Sequence, residues 1–92
     1  MALNASQKRQ LRSAAHELKP VVMIGQNGYT ASIVAAVDEA LNDHELIKIR
    51  LRGIEKENRR STVDEICRDL DAEFVALVGA VATIYRPRPP ES

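Results

Sequence analysis

The stretch VVMIGQNGYT, residues 21–30, runs four apolar residues into Gly25-Gln26-Asn27-Gly28. An Asn-Gly pair after such a run signals a hairpin turn, or else a strand-to-helix connection whose glycines let the backbone turn tightly or approach a ligand closely. The two readings differ in what must follow. A hairpin needs alternation after Gly28. The chain instead places Ile33, Val34, Val37 and Leu41 at helical spacing, with Thr30 suited to cap the helix start. The spacing predicts a helix from about Ala31 to Asn42, so the glycine loop joins a strand to a helix. Free amides in such a loop, together with the helix start, form a concave donor surface that suits a phosphate oxygen. A purely structural turn fits the two glycines equally well. The loop is not a Walker loop, lacking Gly-Lys-Ser/Thr, nor a dinucleotide fingerprint, lacking the third glycine.

Upstream, Ser6 to Leu18 forms an amphipathic helix. Leu11, Ala14, Ala15 and Leu18 share one arc, and Lys8, Arg12 and His16 follow one another at four-residue spacing on another. Pro20 disfavours helical geometry at Lys19, which leaves Val21 to Ile24 as a short buried strand. Downstream, ELIKIRLR (residues 45–52) alternates, with Ile47, Ile49 and Leu51 on one face and Lys48, Arg50 and Arg52 on the other. A charged connection over residues 53–60 leads to Val63, Ile66, Cys67 and Leu70, a third helical pattern, which starts either at a Thr62–Glu65 capping box or earlier. Phe74–Val78 and Val81–Arg86 are strand-like and flank Gly79-Ala80, a hairpin signal.

The element order is therefore α-β-α-β-α-β-β. It implies a single α/β domain over residues 1–87, with a four-stranded mixed sheet and packed helices, followed by a proline-rich tail at residues 88–92. A chain of 92 residues buries about 60 to 68% of its unfolded surface, enough for one modest core. No segment reads as a membrane span or a secretory signal, so a cytoplasmic location is expected. The single cysteine, Cys67, cannot form an internal disulfide and sits at a core position of the third helix.

Net charge is zero, yet the charges fall in blocks. Residues 1–30 carry four basic and one acidic residue, and 31–45 carry four acidic and none basic. Residues 46–60 carry six basic and two acidic, and 61–92 carry three basic and six acidic. Such segregation lets a neutral protein present one basic face. Taken alone, Lys48, Arg50 and Arg52 are a solvated strand face; the repeat of the pattern on the first helix favours a nucleic-acid surface. His16 and His44 have no nucleophile in a recognisable setting, and Asp38, Glu39, Asp43 and Glu45 lack calcium-loop spacing. Neither an enzyme, a metal site nor a cofactor is expected. With only Tyr29, Phe74 and Tyr85 aromatic, base stacking should be minor and backbone clamping dominant. Tyr29 is placed either to stack on a base or ribose or to pack under the loop.

The segments QKRQLRSAAHELKPVVMIGQNGYT, ALNDHELIKIRL and VATIYRP together resemble the CRM domain family, in its stand-alone bacterial, YhbY-like form, over Ser6 to Pro87. The resemblance implies a shape similar to the C-terminal domain of translation initiation factor three, with a Gly-x-x-Gly loop like that of KH domains. It further implies RNA binding and association with precursors of the large ribosomal subunit, as an assembly factor. Gly25, Gln26, Asn27 and Gly28 would meet the RNA backbone, supported by Lys8, Arg12 and Lys48; Tyr29, Lys19, Arg50 and Arg52 complete the expected surface. Many relatives carry a lysine where this chain has Gln26 and a basic residue where it has Ala80, so its cations must come from outside the loop. The expected partners are ribosomal RNA and, secondarily, ribosomal proteins, bound by a monomer away from membranes. The rival reading is a protein interaction module on the ribosome, in which the acidic stretch Asp38 to Glu45 matters as much as the basic strand.

Overall fold

The computed structural model describes residues 3–88. Helix α1 spans Ala5–Ala15, strand β1 Pro20–Met23, α2 Ala31–His44, β2 Leu46–Arg50, α3 Arg59–Leu70, β3 Glu73–Val78 and β4 Val81–Tyr85. A short 3-10 turn, Lys56–Asn58, precedes α3. This is the α-β-α-β-α-β-β order and mixed four-stranded sheet that the sequence predicts. The strands lie in the order β1-β2-β4-β3, with β1 and β2 parallel and the other two pairings antiparallel. Helices α2 and α3 cover one face of the sheet and α1 crosses the other.

The main core lies between the sheet and the α2–α3 layer. Val22, Ile47, Ile49, Ala82 and Ile84 from the strands, with Ile24 just after β1, meet Val37, Leu41, Val63, Ile66 and Cys67 from the helices. Truncating a fully buried member such as Leu41 or Ile49 to alanine removes about 2–5 kcal/mol. Beneath α1 the packing is thinner, and Ala15 is the only residue of that helix that is fully covered.

Several boundaries differ from the sequence expectation, each for a local reason. Helix α1 starts at the cap Asn4, whose side chain and that of Gln7 each bond the other's backbone amide, and it ends at Ala15 instead of Leu18. There His16 and Leu18 bond carbonyls only three residues back, tightening the chain toward β1. Strand β1 is an edge strand, not a buried one. Val22 and Ile24 face the core, but Val21 and Met23 are 52% and 54% exposed on the α1 side of the sheet, where that helix does not reach. Strand β2 ends at Arg50, so Arg52 sits in the following turn. Helix α3 begins at Arg59, earlier than a Thr62 capping box would allow, because the 3-10 turn feeds directly into it. The tail from residue 89 lies outside the described residues; Arg88, its first member, bonds Glu45 at 2.9 Å.

Candidate nucleic-acid interface

The glycine loop owes its shape to one hydrogen bond and one positive φ. The Gly28 amide donates to the Gly25 carbonyl at 3.0 Å, closing a tight turn with Gln26 and Asn27 at its tip. Gly28 has φ +73°, a conformation that side chains rarely adopt. Thr30 then caps α2, its hydroxyl accepting from the Ile33 amide. The tip amides of Gln26 and Asn27 have no partner among the described residues; both residues are exposed, with the Gln26 amide nitrogen on the side of Gly53. They are the donors that the loop can offer to an anion.

Parallel pairing of β1 with β2 brings a second turn to the same end of the sheet. The Ile24 amide bonds Arg50, the Gly53 amide bonds the Ile24 carbonyl at 2.8 Å, and Gly53 lies directly on the Gly25 peptide. The hairpin completes the cluster, because the Leu51 amide bonds the Ala80 carbonyl at 2.6 Å. Three turns, Gly25–Gly28, Arg52–Gly53 and Gly79–Ala80, thus converge. Gly53 was not among the residues predicted from sequence, since a glycine in a charged connection carries no sign of what packs on it.

Basic side chains lead away from this cluster. Arg52 is in the second turn, and Arg50 and Lys48 follow on the α1 face of β2, about 7 Å apart as alternate strand residues are. Lys48 borders a groove shared with Arg12 of α1 and His16 at its C-terminal end. Lys8 continues the stripe one turn earlier on the helix. None of these residues is in an ion pair among the described residues. Three acids are paired elsewhere: Asp38 holds Arg86, Glu45 holds Arg88 and Asp64 holds Arg60, whose guanidinium also stacks 3.8 Å over Phe74. Those pairs hold three arginines near α2 and α3, and none of them involves a cation of the α1 side. Lys19 stands apart, at the opposite end of the sheet where β1 begins, beside Leu18, Val21 and His44.

Tyr29 is half-buried beneath the loop, packed on the core, and its hydroxyl donates to Asp69 of α3 at 2.9 Å. Burial, reinforced by the hydrogen bond and the negative charge of Asp69, pushes its phenol from 10.0 up to about 12. Of the two placements open to it, this is packing under the loop. Cys67 is buried, and that burial lifts its thiol to about 11, keeping it neutral. Among the described residues no three metal-ligating side chains cluster, and no helix is long and apolar enough to cross a membrane.

Residues 3–86 match the model of the CRS1/YhbY (CRM) domain. The chain is 43% identical over 89 residues to "Probable RNA-binding protein PA4753" of Pseudomonas aeruginosa, covering 97% of this chain and 86% of the relative. It is 40% identical over 85 residues to an RNA-binding protein of Haemophilus influenzae, covering 92% of this chain and 86% of that one. Its fold superimposes on the solution structure of SAV1595 from Staphylococcus aureus, a candidate RNA-binding protein, with a TM-score of 0.84 and 28% identity, covering 98% of this chain and 94% of the other. The family is one of RNA-binding domains and not of enzymes. With the matched region spanning nearly every described residue, the chain belongs to the CRS1/YhbY (CRM) domain family.

Proposed function

We propose that this protein binds RNA without catalytic chemistry, and that its target is ribosomal RNA in precursors of the large subunit, where it acts as an assembly factor in the cytoplasm. One observation carries the RNA reading. Unpaired Arg12, Lys48, Arg50 and Arg52 line up beside a loop whose two tip amides are free to donate. Cations of this kind repel one another unless an anion compensates, and a phosphate chain supplies regularly spaced ones. Loop amides and the start of α2 would seat one phosphate, with the basic track meeting its neighbours. The names of the relatives support the RNA partner; the ribosomal target rests on the family resemblance seen in the sequence.

The protein interaction reading is weaker because its acidic surface is partly spent. Asp38 and Glu45 are tied to Arg86 and Arg88, leaving Glu39 and Asp43 exposed on α2. Ultraviolet crosslinking of the tagged protein in cells, followed by sequencing of bound RNA, separates the two. Crosslinks concentrated in large-subunit RNA, with the protein sedimenting among precursor particles, are expected. Co-sedimentation without RNA crosslinks, abolished by reversing Glu39 and Asp43 but not Lys48 and Arg50, would replace the RNA reading with the protein one.

A further inference from the structure

The α1 face of the sheet holds a groove of about 430 Å³ that the loop contact does not use. Arg12 of α1, His16 at its C-terminal end and Lys48 of β2 stand along its rim, and Val78, Val81 and Thr83 of the hairpin line its floor. Two features of that floor suit a ligand. Val78 is 76% exposed, an aliphatic side chain left in water amid cations. Thr83 is only 6% exposed, and its hydroxyl, bonded to no other described residue, is not a buried unsatisfied atom and so opens to water in the groove. A volume of this size lies within the range of small-ligand sites.

The rim calls for an anion, and the floor calls for a surface that gains by leaving water, with a polar edge for the hydroxyl. A nucleotide joins those three properties on the scale of one residue. Only an unstacked one can offer them, because duplex bases keep their faces against each other. We propose that the groove takes a single unstacked nucleotide of a single-stranded RNA segment. Its base or ribose lies on Val78 and Val81, with a polar edge at the Thr83 hydroxyl and flanking phosphates on Arg12, His16 and Lys48. This inference rests on the RNA-binding reading of the neighbouring loop and adds to it a preference for single strands. Cross-strand register supports the continuity: Arg50 pairs with Val81 and Lys48 with Thr83, so the basic track and the groove floor share the same two rows of the sheet. With no aromatic ring in the groove, packing discriminates little between bases.

The test compares a short fluorescein-labelled single-stranded RNA of mixed sequence with the same strand annealed to its complement. Wild-type protein should bind the single strand more tightly, and the single strand should shift the methyl NMR signals of Val78, Val81 and Thr83. Val78→Ser, at an exposed site that the fold does not need, should weaken single-strand binding about five- to tenfold while leaving duplex binding and the salt slope unchanged. Equal binding of both forms with unshifted groove methyls, while Gly28→Asp still weakens both, overturns the groove and spares the loop reading. Failure of wild type to bind either RNA form overturns both. Groove methyls shifted by poly-glutamate and not by RNA overturn the groove in favour of an acidic peptide ligand.

Discussion

Gly53 packs so tightly on Gly25 that a Cβ at residue 53 would collide with the Gly25 carbonyl and come within 2.8 Å of the Gln26 amide nitrogen. The turn after β2 therefore acts as the floor of the glycine loop. Gly53→Ala must push the loop away or break the Gly53–Ile24 hydrogen bond, and should cost about 1–3 kcal/mol. Gly25→Ala meets nothing within 4 Å and should leave stability nearly unchanged. Urea unfolding of the two variants checks the contrast.

Gly28 carries both conformational and functional weight. Gly28→Ala forces a side chain to φ +73° and should lose about 1 kcal/mol. Gly28→Asp suffers the same strain and adds a negative charge where a phosphate is proposed. RNA affinity should fall much further for Asp than for Ala, as read by fluorescence anisotropy at fixed salt.

Arginines in this chain divide into structural and free ones. Arg86 bonds the Asp38 carboxylate at 2.9 Å, the Leu70 carbonyl at 3.0 Å and the Asn42 side chain at 2.9 Å, tying the end of β4 to α2 and α3. Arg86→Ala should cost about 2–3 kcal/mol by orphaning those acceptors. Lys48→Ala and Arg52→Ala should change stability by under about 0.5 kcal/mol. If about five phosphates are neutralised as single strands, the log-log salt slope is roughly −3.5, and each of these two substitutions should reduce its magnitude by about 0.7.

Tyr29 and Cys67 give the protein an alkaline limit. Both groups are neutral in the fold, with values raised from 10.0 to about 12 and from 9.0 to about 11 by burial first of all. Unfolding relieves that burial, so the stabilisation is complete below pH 9 and is lost as pH climbs, for Cys67 between about 9 and 11 and for Tyr29 between about 10 and 12. Tyr29→Phe should remove the upper part of this decline while costing about 1 kcal/mol at neutral pH through loss of the Asp69 bond. Thermal melts across pH 8 to about 11 would show it. Cys67 should react with iodoacetamide far more slowly than a free thiol at pH 8.

Local periodicity made most of the fold legible. Ile33, Val37 and Leu41 could only be helical, and Ile47, Lys48, Ile49 and Arg50 could only alternate, so element type and order followed. Properties that depend on distant partners did not. Whether Val21 is covered depends on where α1 ends and on β1 lying at the sheet edge, and neither is encoded near residue 21. The same holds for the candidate site. Gly25 to Gly28 announced themselves by spacing and Lys48 by alternation, but the meeting of Lys48 with Arg12 needs α1 on that face of the sheet. The commitment of Arg86 to Asp38, 48 positions away, and of Tyr29 to Asp69 was invisible for the same reason.

The strand order has a consequence for how the molecule assembles. Because β4 lies between β2 and β3, the latest of the four described strands is the one that joins the two halves of the sheet. A nascent chain that stops before Val81 has a parallel pair on one side, a lone strand on the other, and no ladder to connect them. Lys48 and Thr83 then never become neighbours. Folding must wait for the long-range pairing of β4 with β2, which raises contact order and slows the search. The basic groove thus cannot form before β4 has paired with β2, and a chain that presents it has already closed its sheet.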